Sequence, residues 1–400
     1  TFSKINLNME SNFAYQSVAP HLKNLRLVGY YQIDPRSPTL YKYLHKIYMR
    51  IGLIWICGYT VLQALKILEA RDDMDKVMAT LFLFLSHTDS IYKQIVFSLK
   101  ADQVEQLLDI LRGELYNQRE HKKQLLTTAR YSVILLSIIN AMALLTCFLW
   151  VVIPVIRHVQ GETVEYEIWL PFQYNSDLTF YIITIVVWIS TSSLAFGNTT
   201  MDALIAFLLA QCQTQIRILR VELQNVVQRS IEEALASGTT FEQVLMRRFK
   251  AILDHHNEIM KFAKTVEDIF SGPIFYLFLV GGWIICTSLY RIVDMTPTSV
   301  QFFSMTSYLF CILLELFIYC FYGGEVTFES ENLTEYIYCM DWLQTPVTHR
   351  KHMIILMERV KRPIQPMAGN IIPLSNDTFS KIRPKFVFFV WEPPLIFILF

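Results

Sequence analysis

The sequence predicts an all-α membrane protein of seven transmembrane helices, with a cytoplasmic N-terminus and a cytoplasmic helical anchor region, and three observations predict it. The 400 residues are 53% hydrophobic and only 18% charged, more apolar surface than a single soluble core can hide. Four stretches are long enough, and free enough of charge, to cross about 30 Å of hydrocarbon as helices of about 20 residues. The connecting segments then alternate between basic and acidic, the pattern that orients a multi-pass chain.

The four clear spans are residues 131–156, 178–201, 269–290 and a run that opens between Asp294 and Glu315 and continues to Gly324. Two more are shorter between charges. Residues 51–65 lie between Arg50 and Lys66, which can snorkel, and residues 77–99 contain Asp89 and Lys93, spaced i, i+4 so that they can neutralise each other. A seventh, weaker span begins after Pro373. The chain thus divides into an N-terminal arm (1–46), spans 1–6 with long cytoplasmic loops at 100–130 and 212–268 (47–324), anchor helices (325–372) and an atypical last span (373–400). The 212–268 loop is expected to be two helices broken at Ser237-Gly238-Thr239-Thr240.

Lys23, Arg26, Arg36, Lys42, Lys46 and Arg50 precede span 1, whereas Asp72, Asp73 and Asp75 follow it. The 100–130 loop is basic again, and the next loop sets Arg157 against Glu162, Glu165, Glu167 and Asp177. The N-terminus is therefore cytoplasmic and, with seven spans, the C-terminus is outside. Residues 1–46 hold no apolar core followed by a cleavage site, so no cleavable leader is expected. Met9 opens a natural start and TFSKI occurs at both 1–5 and 378–382, so residues 1–8 are set aside.

Lys+Arg and Asp+Glu both number 35, without the basic excess of a nucleic-acid binder. The seven cysteines lack metal or disulfide spacing and are expected as small core residues. Neither His255-His256 nor His349 with His352 has a complementary ligand set, and no phosphate loop or nucleophile motif occurs. No metal, no cofactor and no enzymatic activity are expected.

From about residue 250 onward, a series of short stretches carries a resemblance: His256-Asn257-Glu258-Ile259, Val266-Glu267-Asp268-Ile269-Phe270-Ser271, Tyr319-Cys320-Phe321-Tyr322-Gly323 and Glu329-Ser330-Glu331-Asn332-Leu333. It continues with Tyr336-Ile337-Tyr338, Trp342, Arg350-Lys351, Met357-Glu358-Arg359, Arg362-Pro363-Ile364, Ala368-Gly369, Pro373-Leu374-Ser375 and Thr378-Phe379. In order and spacing these resemble the insect odorant receptor family. The resemblance implies a subunit of a tetrameric odour-gated cation channel working with a common co-receptor in the plasma membrane of olfactory sensory neurons, with a small volatile organic ligand bound in the outer half of the bundle. A taste-type channel of the same superfamily and a metabotropic seven-helix receptor are the alternatives. Against the latter stand the cytoplasmic N-terminus and the lack of a cysteine in the 157–177 loop.

The family's last helix lines the pore, but here Arg383-Pro384-Lys385 and Glu392-Pro393-Pro394 interrupt it, a poor pattern for a pore helix. Its cytoplasmic helices form the main subunit contact. In this chain Val347, Met353, Ile354, Leu356, Met357 and Val360 recur near helical spacing in a segment too charged to cross lipid, and Ile355 and Met357 are expected at that contact.

A pocket for a volatile ligand should be apolar and aromatic with few polar groups. On span 3, Ala143, Thr146 and Trp150 fall on one face at i, i+3 and i+7. Opposite them stand His87 of span 2, Tyr181 and Ile185 of span 4, and Phe303 and Thr306 of span 6. The competing reading is ordinary packing between helices, and His87 could equally be a neutral, hydrogen-bonded core histidine.

Overall fold

The protein is described by a computed structural model covering residues 13–32, 37–161, 164–171, 176–293, 295–340 and 345–381. Nine helices account for nearly all of it: α1 (Phe13–Leu27), α2 (Thr39–Glu69), α3 (Met74–Leu99), α4 (Ala101–Arg112), α5 (Lys122–Val159), α6 (Asp177–Ser237), α7 (Phe241–Val293), α8 (Val300–Tyr338) and α9 (Val347–Val360). A two-stranded ribbon follows, β1 (Met367–Ala368) pairing antiparallel with β2 (Ile372–Pro373).

Five of these helices, α2, α5, α6, α7 and α8, are long and apolar enough to cross a membrane. Span 2 lies in α3, which is not among the five because its inward face is polar: His87, Asp89, Ser90, Lys93 and Gln94 are all buried. A helix enclosed by other helices can carry such a face across lipid, since the bundle supplies its partners. The seventh span, residues 373–400, begins at β2 and falls mostly outside the described residues.

The boundaries differ from the sequence reading in one systematic way. At 1.5 Å per residue, the 61 residues of α6 extend about 90 Å and the 53 of α7 about 80 Å, far more than a bilayer. The 212–268 segment is therefore the continuation of both helices beyond the membrane. They meet at a hairpin where Gly238, at φ +68°, caps α6 through its backbone N–H to the Ala234 carbonyl at 3.0 Å. Likewise α8 runs without a break through Gly323-Gly324 to Tyr338.

The N-terminal arm is also more than an arm. Ala14, Val18, Leu22 and Leu25 recur at i, i+4, i+8 and i+11 and are buried. They dock α1 against α5 and α6, with His21 stacked on Phe207 at 5.6 Å. In α4, Val104, Leu107, Leu108 and Leu111 make a similar buried stripe.

At the end of the bundle that carries the Gly238 hairpin, Arg217 donates to Glu329 at 2.6 Å and Arg220 to the other oxygen of Glu329 at 3.0 Å, tying α6 to α8. His255 is bonded to Gln215 at 3.0 Å, and burial pushes its pKa down to about 4. Glu120, His121 and Glu222 bring three ligand-type atoms together. Arg229 donates to both carboxylates, at 3.0 and 2.7 Å, and so occupies the place a cation would take.

The scattered stretches that carry the family resemblance converge in space. The Gly369 N–H donates to the Ser271 carbonyl at 3.0 Å, the Ile364 N–H to the Ser330 hydroxyl at 2.8 Å, and Phe379 meets Phe317 edge-on at 5.4 Å. Gly323 lies directly against Leu374. Together they dock residues 364–381 onto α7 and α8. Trp342 of the same series lies outside the described residues.

Candidate ligand-binding site

In the half of the bundle opposite the Gly238 hairpin, α3, α5, α6 and α8 enclose two adjoining chambers. The outer one, of about 230 Å³, is bounded by α5, α6, the start of α8 and the extended segment 164–168. The inner one, of about 90 Å³, continues between α3, α5, α6 and α8. Leu83, Cys147, Trp150 and Thr191 line both.

Between the chambers stand three mutually packed rings. Trp150 lies 5.9 Å from Phe82 and 5.4 Å from Tyr308, and Phe82 lies 5.1 Å from Tyr308. Edge and tilted ring pairs of this kind add about 0.5–1.5 kcal/mol each beyond area burial, which makes the partition a rigid feature. The roof is built from Val164, Tyr166 and Ile168, which pack with Tyr59, Phe180 and Ile183. It is fixed by the Tyr166 hydroxyl donating to the Phe180 carbonyl, the Trp169 N–H donating to the Leu62 carbonyl and an ion pair between Lys76 and Glu165. Burial pushes the carboxyl of Glu167, in this roof, above its usual range, with Arg291 and Arg157 opposing.

Among the residues singled out from sequence, His87, Ala143 and Thr146 line the inner chamber and Trp150 lines both. His87 is bonded through Nδ1 to Gln63 at 2.7 Å. The Thr146 hydroxyl donates to the Met142 carbonyl at 3.0 Å and pairs with Ser307 at 2.8 Å. Tyr181, Ile185, Phe303 and Thr306 line neither chamber; all four are exposed on the outside of the bundle, where lipid would surround them.

The correction is one of helical phase. Thr184, Val187, Trp188 and Thr191 form the lining face of α6, and Gln301, Ser304, Met305 and Tyr308 that of α8. Where every face of a span is apolar, sequence alone does not say which face turns inward.

Below the inner chamber lies a buried ion cluster. The Lys93 ammonium contacts Asp89 at 2.8 Å, Asp202 at 2.8 Å and Glu315 at 2.5 Å, and donates to Asn198 at 3.2 Å. The Tyr319 hydroxyl donates to Asp202 at 2.6 Å. The i, i+4 pair read from sequence is thus part of a larger network. Asp202 was hidden because it marks the end of a charge-free run; its spacing from Asn198 on one face of α6 was the available signal.

A bundle of apolar helices around a roofed, aromatic-partitioned cavity has the form of a small-molecule receptor. A sequence model of the 7tm odorant receptor family matches residues 73–383, and the chain belongs to that family.

Odorant receptor 46a, isoform A, of Drosophila melanogaster is 21% identical over 82% of this chain and 84% of its own. Odorant receptor Or1 of Anopheles gambiae is 22% identical over 83% and 84%. Odorant receptor 94a of Drosophila melanogaster is 25% identical over 56% of each chain, so the match spans little more than half of that relative. The fold is also that of the insect olfactory receptor OR5 from Machilis hrabei, with a TM-score of 0.79 at 14% identity over 94% of this chain and 96% of the other. A structure of that receptor in complex with eugenol superposes with a TM-score of 0.78.

Proposed function

We propose that this chain is the ligand-binding subunit of an odour-gated cation channel in the plasma membrane of olfactory sensory neurons, working with a co-receptor subunit and taking a small, mainly apolar organic molecule into the two-chamber cavity. The observation that carries the reading is the partition of Trp150, Phe82 and Tyr308 inside a cavity of molecular size. The binding of eugenol by a receptor of the same fold supports it.

Trp150→Ala should lower potency across a panel of odorants at least ten-fold, equivalent to about 1.4 kcal/mol, because it removes a contact shared by both chambers. Thr146→Val should change the order of potencies with a smaller loss, since it unpairs Ser307 at nearly constant volume. Dose-response curves in cells coexpressing the co-receptor, at matched surface amounts, measure both. Potencies unchanged by Trp150→Ala, together with an order unchanged by Thr146→Val, would assign these residues to packing.

The proposed subunit contact is narrower than the sequence stripe. Met353, Leu356 and Val360 are buried against the chain's own core and Met357 packs on it, whereas Val347, Ile354 and Ile355 are exposed. Ile355→Asp should therefore reduce co-purification with the co-receptor at unchanged melting temperature, while Met357→Asp should lower the melting temperature itself. Full co-purification of the Ile355 variant would remove this face of α9 from the contact.

A further inference from the structure

We propose that the first three turns of α2, residues 39–50, form a binding site for anionic phospholipid at the membrane boundary, in which Lys42, Lys46 and Arg50 hold the headgroup and an adjoining apolar stripe takes the acyl chains. The 31 residues of α2 extend about 46 Å, against about 30 Å of hydrocarbon. Lys66 and Glu69 close the far end of the helix. The surplus length therefore falls on residues 39–50, at the depth of the headgroups.

This segment lacks a protein partner. Nothing in α2 is buried before Ile56. Leu40, Leu44, Ile47, Ile51 and Ile54 recur at i, i+4, i+7, i+11 and i+14, the spacing of a packing face, yet all five are exposed. Another side of the helix is tied to the connection from α1: the Tyr48 hydroxyl donates to the Leu27 carbonyl at 2.7 Å, and His45 Nε2 donates to the Tyr31 carbonyl at 2.9 Å. Those bonds leave the apolar stripe open.

Beside the stripe, Lys42, Lys46 and Arg50 follow one another at i, i+4 and i+8. Lys46 and Arg50 are exposed, and none of the three has an ion pair among the described residues. The helix supplies no counter-charge nearby, since its only acidic residue is Glu69. Like charges at i, i+4 repel one another, and an anion among them relieves that repulsion.

The stripe continues on the same side through Val61, Leu65 and Leu68, the exposed face of the spanning segment, so the occupant that fits both parts is lipid. Phosphatidylcholine brings its own ammonium and gains little from the cations. Phosphatidylserine carries net negative charge, and a basic residue at the membrane surface favours such a headgroup about five-fold.

The test measures which lipid surrounds this face. Ile54→Trp places an indole at an exposed position one turn from Arg50, and its emission is the difference from the parent chain. The full chain carrying this reporter is reconstituted in phosphatidylcholine containing a minor fraction of either brominated phosphatidylserine or brominated phosphatidylcholine. Quenching by the serine lipid should correspond to a local fraction about five-fold above the bulk fraction, whereas the choline lipid should quench as a random mixture. High salt should lower the enrichment.

Lys42→Gln, Lys46→Gln and Arg50→Gln combined should make the two lipids quench equally, at an unchanged melting temperature in pure phosphatidylcholine. Lys42→Arg, Lys46→Arg and Arg50→Lys combined, which keep the charge, should retain the enrichment. Equal quenching in the reporter chain, or enrichment that survives the glutamines or high salt, overturns the site. Failure of the glutamine variant to fold would make the three cations structural and overturn it as well. If neither lipid quenches the reporter, protein covers this face and the lipid site is excluded.

Discussion

Lys93→Met is expected to remove most of the folded receptor. The ammonium is almost completely buried and is the shared partner of Asp89, Asp202 and Glu315, which come from α3, α6 and α8. Without it, three carboxylates face one another, with Asn198 and Tyr319 donating to Asp202 alone among them. One oxygen of Asp89 lacks a partner even in the intact cluster. Breaking a buried ion pair from one side costs about 3–5 kcal/mol, a large share of the 5–15 kcal/mol typical of a folded chain. Fluorescence-detected size exclusion with a temperature ramp should show little monodisperse protein and a lowered melting temperature.

The loss should be reversed by removing the other charges at the same time. Lys93→Met combined with Asp89→Asn, Asp202→Asn and Glu315→Gln leaves no ion without its counterpart, and such neutral replacements are often tolerated. A single Lys93→Met variant that melts with the wild type would show that the cluster does not hold these three helices together.

Gly323→Ala is the second large effect. A methyl group there would enter the space of Leu374, coming within 2.9 Å of its backbone carbonyl oxygen. A backbone atom cannot rotate aside, and this one is anchored: the Leu374 N–H donates to the Pro366 carbonyl at 3.0 Å, and the Thr378 hydroxyl to the Pro373 carbonyl at 2.8 Å. Overpacking of this kind costs about 1–3 kcal/mol. The cheapest relief is undocking of residues 364–381 from α8, which would expose Leu374, otherwise buried.

Limited proteolysis should then cut within 364–381 in the variant and not in the wild type. Gly324→Ala is the matched control, because its added carbon lies 3.5 Å from the nearest atom, an ordinary contact. Equal protease resistance in both variants would show that the 323–374 contact is soft.

The membrane-embedded helices were legible because hydropathy and charge are local properties. The runs 131–156, 178–201 and 269–290 each lie inside one helix, and the Gly238 hairpin announced itself through a residue suited to φ +68°. The amphipathic stripe of α1 is equally local, although a charged N-terminal segment reads as a tail. In α9, periodicity located an apolar stripe but not its partner, and half of that stripe, Met353, Leu356 and Val360, is buried against the chain's own bundle.

What only the tertiary structure decided was which way each helix is turned. Polar side chains such as Asn140 and Thr146 gave α5 an inward face, and Trp150 follows it. On the membrane-spanning part of α6 and on α8, apolar residues surround the whole circumference, so a rotation of about 60–100° separates Tyr181 and Ile185 from Thr184, or Phe303 from Ser304, without changing the hydropathy of the span. Sequence alone thus determined that the chain crosses the membrane as helices, and in which segments, because the transfer of apolar groups out of water is summed residue by residue. The rotation of those helices, the partners of Lys93 and the walls of the cavity depend on which side chains meet across helices far apart in the chain, and only the packed bundle supplies that.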